Sequence, residues 1–159
     1  MTSDAADATK ILAHLIEGEE VAGLRFGGPQ ILFTSGAGRP LGEPYINLVS
    51  AWAVYGSRPA SFPAREEEVG EEREEAGEYL AILALRHATV LRVEVLEPVP
   101  HLVVTFADGR VLFLWGGHPQ YESWQAGLSF SGEQNWLVVA APGGGVVAWA
   151  PDSFWTGAA

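Results

Sequence analysis

A chain of 159 residues and 17.0 kDa is long enough to bury a core without staples, and it reads as a single domain over 1–159. It contains no Cys, which excludes disulfides, thiolate nucleophiles and Cys-held zinc or iron–sulfur centres. Twenty acidic against nine basic residues give a net charge of -11, which repels phosphate backbones and anionic lipid; nucleic acid and membrane are not expected partners, and a basic protein is.

With 48% hydrophobic residues, including six Trp, seven Phe and four Tyr, most of the chain is expected to fold. Met1-Thr-Ser-Asp-Ala-Ala-Asp7 lacks the basic and apolar regions of a secretory leader, and no run reaches the ~18 apolar residues of a membrane span. A cytoplasmic location is the expectation.

In chain order, Asp7 to Ile16 carries Ile11, Leu12, Leu15 and Ile16 at helical spacing, with Gly18 as the stop. Val21, Leu24 and Phe26 lead through Gly27-Gly28-Pro29 to Ile31-Leu-Phe-Thr34, a β-hairpin by its punctuation. Tyr45 to about Val54 is aromatic and β-branched and predicts a third strand. Ser57 to Phe62 holds two Pro. Ala64 to Glu78 then carries eight Glu and two Arg, either a mobile loop or a solvated helix whose Glu-rich first turns suit the helix dipole, with Gly70 and Gly77 against a long rigid helix and little to bury.

A short helix is expected over Tyr79–Leu85. Val90–Val95, Leu102–Phe106 and Val111–Trp115 form a three-stranded meander turned at Asp108-Gly109. Trp136–Ala141 and Val146–Trp149 flank Pro142-Gly-Gly-Gly145, where Pro fixes one φ and glycines tolerate positive φ, as a tight reversal requires. The tail after Pro151 is expected to pack through Phe154 and Trp155 or else to fray.

The first hairpin, closed by Gly36 and followed by Trp52, overlays the pair Val90–Val95 and Val104–Gly109 followed by Trp115. The expected fold is therefore α+β, mostly β: antiparallel sheets from two similar β-meander units, 11–56 and 79–150, with one or two short helices and an acidic linker at 64–78.

No chemical signature emerges. His14, His87, His101 and His118 form neither His-x-His nor His-x-x-x-His, Ser131 lacks the Gly-x-Ser-x-Gly elbow, and no glycine cluster has phosphate-loop spacing. No catalytic residue, metal ligand or cofactor is assigned. Tyr121 and Trp124, three apart, would share a face on a helical turn, and apolar bodies with polar handles suit core packing, the favoured reading, or a binding hot spot.

The run Pro119-Gln-Tyr121-Glu122-Ser-Trp124, the Gly132-led strand, Pro142-Gly-Gly and Trp149 together resemble small bacterial domains, frequent in actinobacteria, that end in Tyr-Glu-x-Trp, a Gly-led strand, Pro-Gly-Gly and a closing Trp. The resemblance covers Leu102 to Trp149 best. It implies a β-rich fold without an assigned activity, and small acidic members look similar to immunity proteins of toxin systems.

The expected function is thus non-catalytic binding of a basic protein, such as a toxin domain. Glu66, Glu67, Glu68, Glu71, Glu72, Glu74 and Glu75 would steer association, and Tyr121, Glu122 and Trp124 would anchor it. The alternatives are a small-molecule or enzymatic pocket between the β-units, lined by Trp and His, and a self-associating domain that forms a homodimer.

Overall fold

The first helix, α1 (Ala5–Ile16), starts where Asp4 Oδ1 accepts hydrogen bonds from the amides of Ala6 and Asp7, at 2.7 and 3.3 Å. This is the side-chain cap that an N-terminal Asp supplies. The computed structural model describes residues 1–70 and 73–157. Gly18 takes a φ of +86° just past the helix, so the stop falls where a residue without Cβ is favoured. Ala8, Ile11, Leu12, Leu15 and Ile16 are buried along one stripe.

Ten strands follow among the described residues: β1 (Val21–Arg25), β2 (Gln30–Phe33), β3 (Glu43–Leu48), β4 (Trp52–Tyr55), β5 (Val90–Val95), β6 (Leu102–Phe106), β7 (Val111–Leu114), β8 (Trp124–Ser129), β9 (Leu137–Ala141) and β10 (Gly145–Trp149). Two further helices, α2 (Glu75–Leu83) and α3 (Asp152–Thr156), complete a mostly β, α+β architecture. The strands form two antiparallel sheets, ordered β1-β2-β3-β8-β9-β10 and β4-β7-β6-β5. Their inner faces share one core with α1, in which Ile31, Ile46, Trp124 and Val138 meet Val90, Val104, Phe106 and Leu112.

The edge strand β5 does not leave its donors open. Val93 N–H donates to Glu17 Oε1 at 3.0 Å and Val95 N–H to Thr9 Oγ1 at 2.9 Å, so side chains of α1 and of the residue that caps its C-terminus cover the edge that would otherwise template pairing.

Several expectations are corrected. The strand over Tyr45–Val54 is two strands in different sheets, because β3 pairs with β8 as far as Leu48↔Trp124 and β4 pairs with β7 from Trp52↔Leu114. Val49-Ser50-Ala51 is the corner between them. Tyr121 and Trp124 do not share a helical turn: the segment is an irregular approach to β8, a strand the sequence reading left out. Gly127 permits that strand, since a Cβ there would collide with the carbonyl oxygen of Trp136. The α2 helix begins four residues earlier than Tyr79, inside the Glu run, where Glu75 and Glu78 suit the positive end of the helix dipole.

Each half of the chain contributes to both sheets. The first-half meander β1–β3 is continued by β8–β10, and β4 crosses to join the second-half meander β5–β7. In the tail, Phe154 packs on Trp136 and His14 with ring centroids 5.4 and 5.1 Å apart, while Trp155 stays on the surface.

Candidate functional site

The acidic segment 64–78 buries little, as expected: Val69 is its one buried residue among the described ones, but that residue is an anchor. Residues 57–70 run as a strap over the outer face of the β4-β7-β6-β5 sheet. Phe62 stacks on Phe113 with centroids 4.9 Å apart and planes 9° from parallel. Val69, alone among glutamates, is 6% exposed and packs with Ala53, Val103, Val111 and Phe113. Arg58 ties the strap's start to β5 through Glu94 at 2.7 Å and covers the Phe62 ring.

The charged residues between these anchors are thereby presented on a fixed base. Glu66–Glu68 form one 3₁₀ turn with exposed or half-exposed side chains, and Arg65 bridges back to Glu68 at 2.7 Å. Glu74 precedes α2, and Glu75 lies in its first turn. Glu71 and Glu72 lie outside the described residues. Among the described residues Glu74, Glu75 and Glu78 form no ion pair, so this side of the molecule carries a ridge of carboxylates with few compensating cations.

Beneath the ridge lies a cleft of about 590 Å³, lined by Ser50, Trp52, Glu66, Glu67, Arg73 and Glu78 among others. The Arg73 guanidinium sits over the Trp52 indole, 4.6 Å from its centroid. Gly70, at a φ of +66°, brings the strap against the edge of β4, where its Cβ position is 3.3 Å from Ala53 Cβ. Ser50, Trp52 and Arg73 were not singled out from sequence as a site, because the corner and the strap that bring them together are 20 residues apart in the chain. The lone Val between Glu68 and Gly70 was the one local sign that the run is anchored.

The second group of expected site residues divides. Tyr121 is 45% exposed and stacks on His118, whose Nδ1 accepts from the amides of Gln120 and Tyr121 at 3.1 and 3.3 Å. Glu122 ends a side-chain ladder across the six-stranded sheet. Gln30 Nε2 donates to Asn47 Oδ1 at 2.7 Å, Asn47 Nδ2 to Gln125 Oε1 at 2.9 Å, and Gln125 Nε2 to Glu122 Oε1 at 2.6 Å. Trp124 is corrected as a partner anchor: it is fully buried and its Nε1–H donates to the Pro100 carbonyl at 2.9 Å, so it holds the core. The two groups adjoin at the backbone, where Ser50 N–H donates to the Ser123 carbonyl at 2.8 Å.

A separate pocket of about 490 Å³ lies between α1, the loop before β3 and α3, lined by His14, Arg39, Gln134, Trp136, Ser153 and Phe154. Arg39 is a clasp here. It bonds the carbonyls of His14 and Glu17 and pairs with the buried Glu19 at 3.0 Å. Among the described residues no three His, Asp or Glu side chains gather as a metal-ligating group. No described helix is long and apolar enough to cross a membrane. No protein-family model matches the chain, and neither a curated protein nor a solved structure is significantly similar to it.

Proposed function

We propose that this protein is a non-catalytic acidic binding module whose partner is a basic protein, in the manner of a cytoplasmic immunity protein that covers a toxin domain. The observation that carries the reading is the anchoring of the acidic run. Val69 and Phe62 fix the strap to a sheet, so Glu66, Glu67, Glu68, Glu74 and Glu75 stand in a preorganised field rather than on a mobile tail. Concentrated charge of one sign raises the encounter rate with an opposite partner, and a fixed base lowers the entropy lost on docking. Exposed Leu80 and Leu83 on α2 supply apolar contact area beside it. The resemblance of Leu102–Trp149 to small actinobacterial domains belongs to the same proposal.

The test is capture at low salt by the full chain and by a Glu66→Gln, Glu67→Gln, Glu68→Gln variant. A basic protein held by the parent, lost by the variant and released with a steep negative salt dependence is the expected result. Capture that ignores the variant, or affinity that ignores salt, refutes the reading.

A second reading has one observation in its favour. The pocket at His14, Trp136 and Phe154 combines aromatic walls with the polar ends of Gln134, Ser153 and Arg39, the make-up of a small-molecule site. Ligand-induced protection of Phe154 and Ser153 amides from hydrogen exchange would separate it from the first.

A further inference from the structure

The cleft under the ridge has two features that a purely structural strap does not need. Ser50 is 8% exposed, and its Oγ is the one buried side-chain polar atom among the described residues without a hydrogen-bond partner. A buried hydroxyl left unpaired is destabilising, and Ser50 lines the cleft, so a donor entering there can complete the missing bond. The second feature is the Arg73 guanidinium over the Trp52 face, within cation–π range, in a cleft whose other charged lining groups among the described residues are Glu66, Glu67 and Glu78.

Carboxylates, an indole face and an unused hydroxyl are the partners a guanidinium uses: opposite charge, a π surface and a hydrogen-bond acceptor. A small hydrated metal ion has no use for the indole, and its carboxylate cage is missing among the described residues.

We propose that this cleft is the socket for one arginine of the basic partner, whose guanidinium takes the place over Trp52 that Arg73 fills in the unbound protein and donates to Ser50 Oγ. The inference rests on the reading of the ridge as a docking surface for a basic protein. Arg73 is then a placeholder. One indole face does not hold two guanidinium groups, so Arg73 and the incoming arginine compete, and Arg73 leaves on a long, flexible side chain.

The probe is agmatine, a guanidinium without a peptide, titrated at low salt into the full chain with backbone amide chemical shifts as the readout. The expected shifts concentrate at Ala51, Trp52, Val69 and Gly70. Arg73→Ala removes the competitor and is expected to bind agmatine roughly three-fold more tightly. Ser50→Ala is expected to bind it several-fold more weakly while folding at least as stably as the parent, because it deletes an unpaired hydroxyl. Glu78→Gln, on the surface of α2, weakens agmatine without touching the core.

Shifts centred elsewhere, or an Arg73→Ala variant that binds no more tightly, overturn the socket. The two readings also part company. A basic protein captured through the ridge with equal affinity for the parent, Ser50→Ala and Glu78→Gln refutes the socket and leaves the ridge. Agmatine seated in the cleft without any ridge-dependent capture supports the guanidinium site and refutes the protein partner.

Discussion

His101 shows how far a side chain's environment departs from what its neighbours in sequence suggest. On the outer face of the second sheet it lies 4.3 Å from the Trp115 ring and 5.1 Å from Phe113, and its Nδ1 accepts the Gly116 N–H at 2.9 Å. Burial pushes its pKa down from 6.5 to about 4, and protonation would also remove the acceptor that Gly116 uses. The folded state therefore holds the neutral ring. Between about pH 4 and 6.5 the unfolded chain binds the extra proton, so the contribution of His101 to stability is complete above pH 6.5, falls as pH drops through that window, and levels off below about 4. With the ring only partly buried, screening reduces the loss to roughly 1–2 kcal/mol. Urea unfolding at pH 7.5 and 4.5 is expected to show a smaller drop for His101→Gln than for the parent; equal drops would remove His101 as the cause. Spacing gave no clue that His14 stacks on Trp136, which depends on where the chain returns, or that His118 Nδ1 caps the local turn at Gln120 and Tyr121.

At the level of elements, the strap is the feature that composition concealed. Averaged over Ala64–Glu78, eight Glu outweigh a single Val, yet Val69 is what fixes the segment to Ala53, Val103, Val111 and Phe113. Val69→Ala deletes two buried methyl groups at a cost of roughly 1–2 kcal/mol, and most of that loss is expected to appear as local opening rather than global unfolding. Amide exchange of Glu68 and Val69, which donate to Arg65 and Glu66 carbonyls, is expected to accelerate, with α1 and the β5–β6 amides unchanged. Uniform acceleration would mean that the strap is part of the global folding unit. The hairpins β1–β2 and β9–β10 were legible because their turns are local chemistry: Gly27, Gly28, Gly143 and Gly144 all take positive φ. The corner at Ser50 and the strand β8 were not legible. Nothing in the apolar run Tyr45–Tyr55 tells Leu48 to pair with Trp124 while Trp52 pairs with Leu114; that choice is made by strands more than fifty residues away.

For the whole molecule, the net charge of -11 and its concentration on one ridge set stability against binding. Like charges held on a fixed base repel one another in the folded state more than in an expanded chain, so the ridge proposed as a docking face also lowers the stability of the unbound protein. Removing three of those charges in Glu66→Gln, Glu67→Gln, Glu68→Gln tests this directly. The variant loses the Arg65 pairs with Glu67 and Glu68, exposed contacts of small worth, and sheds more repulsion than it gives up. Its melting temperature in low salt is expected to rise by roughly 1–2 °C over the parent. Added NaCl, which screens exposed charges over about 10 Å at 0.1 M, is expected to raise the parent's melting temperature more than the variant's until the two converge. A variant that melts lower than the parent at every salt concentration would mean that the glutamates stabilise the strap through contacts of their own. Their concentration would then be a structural requirement of the fold, with no need of a partner to account for it.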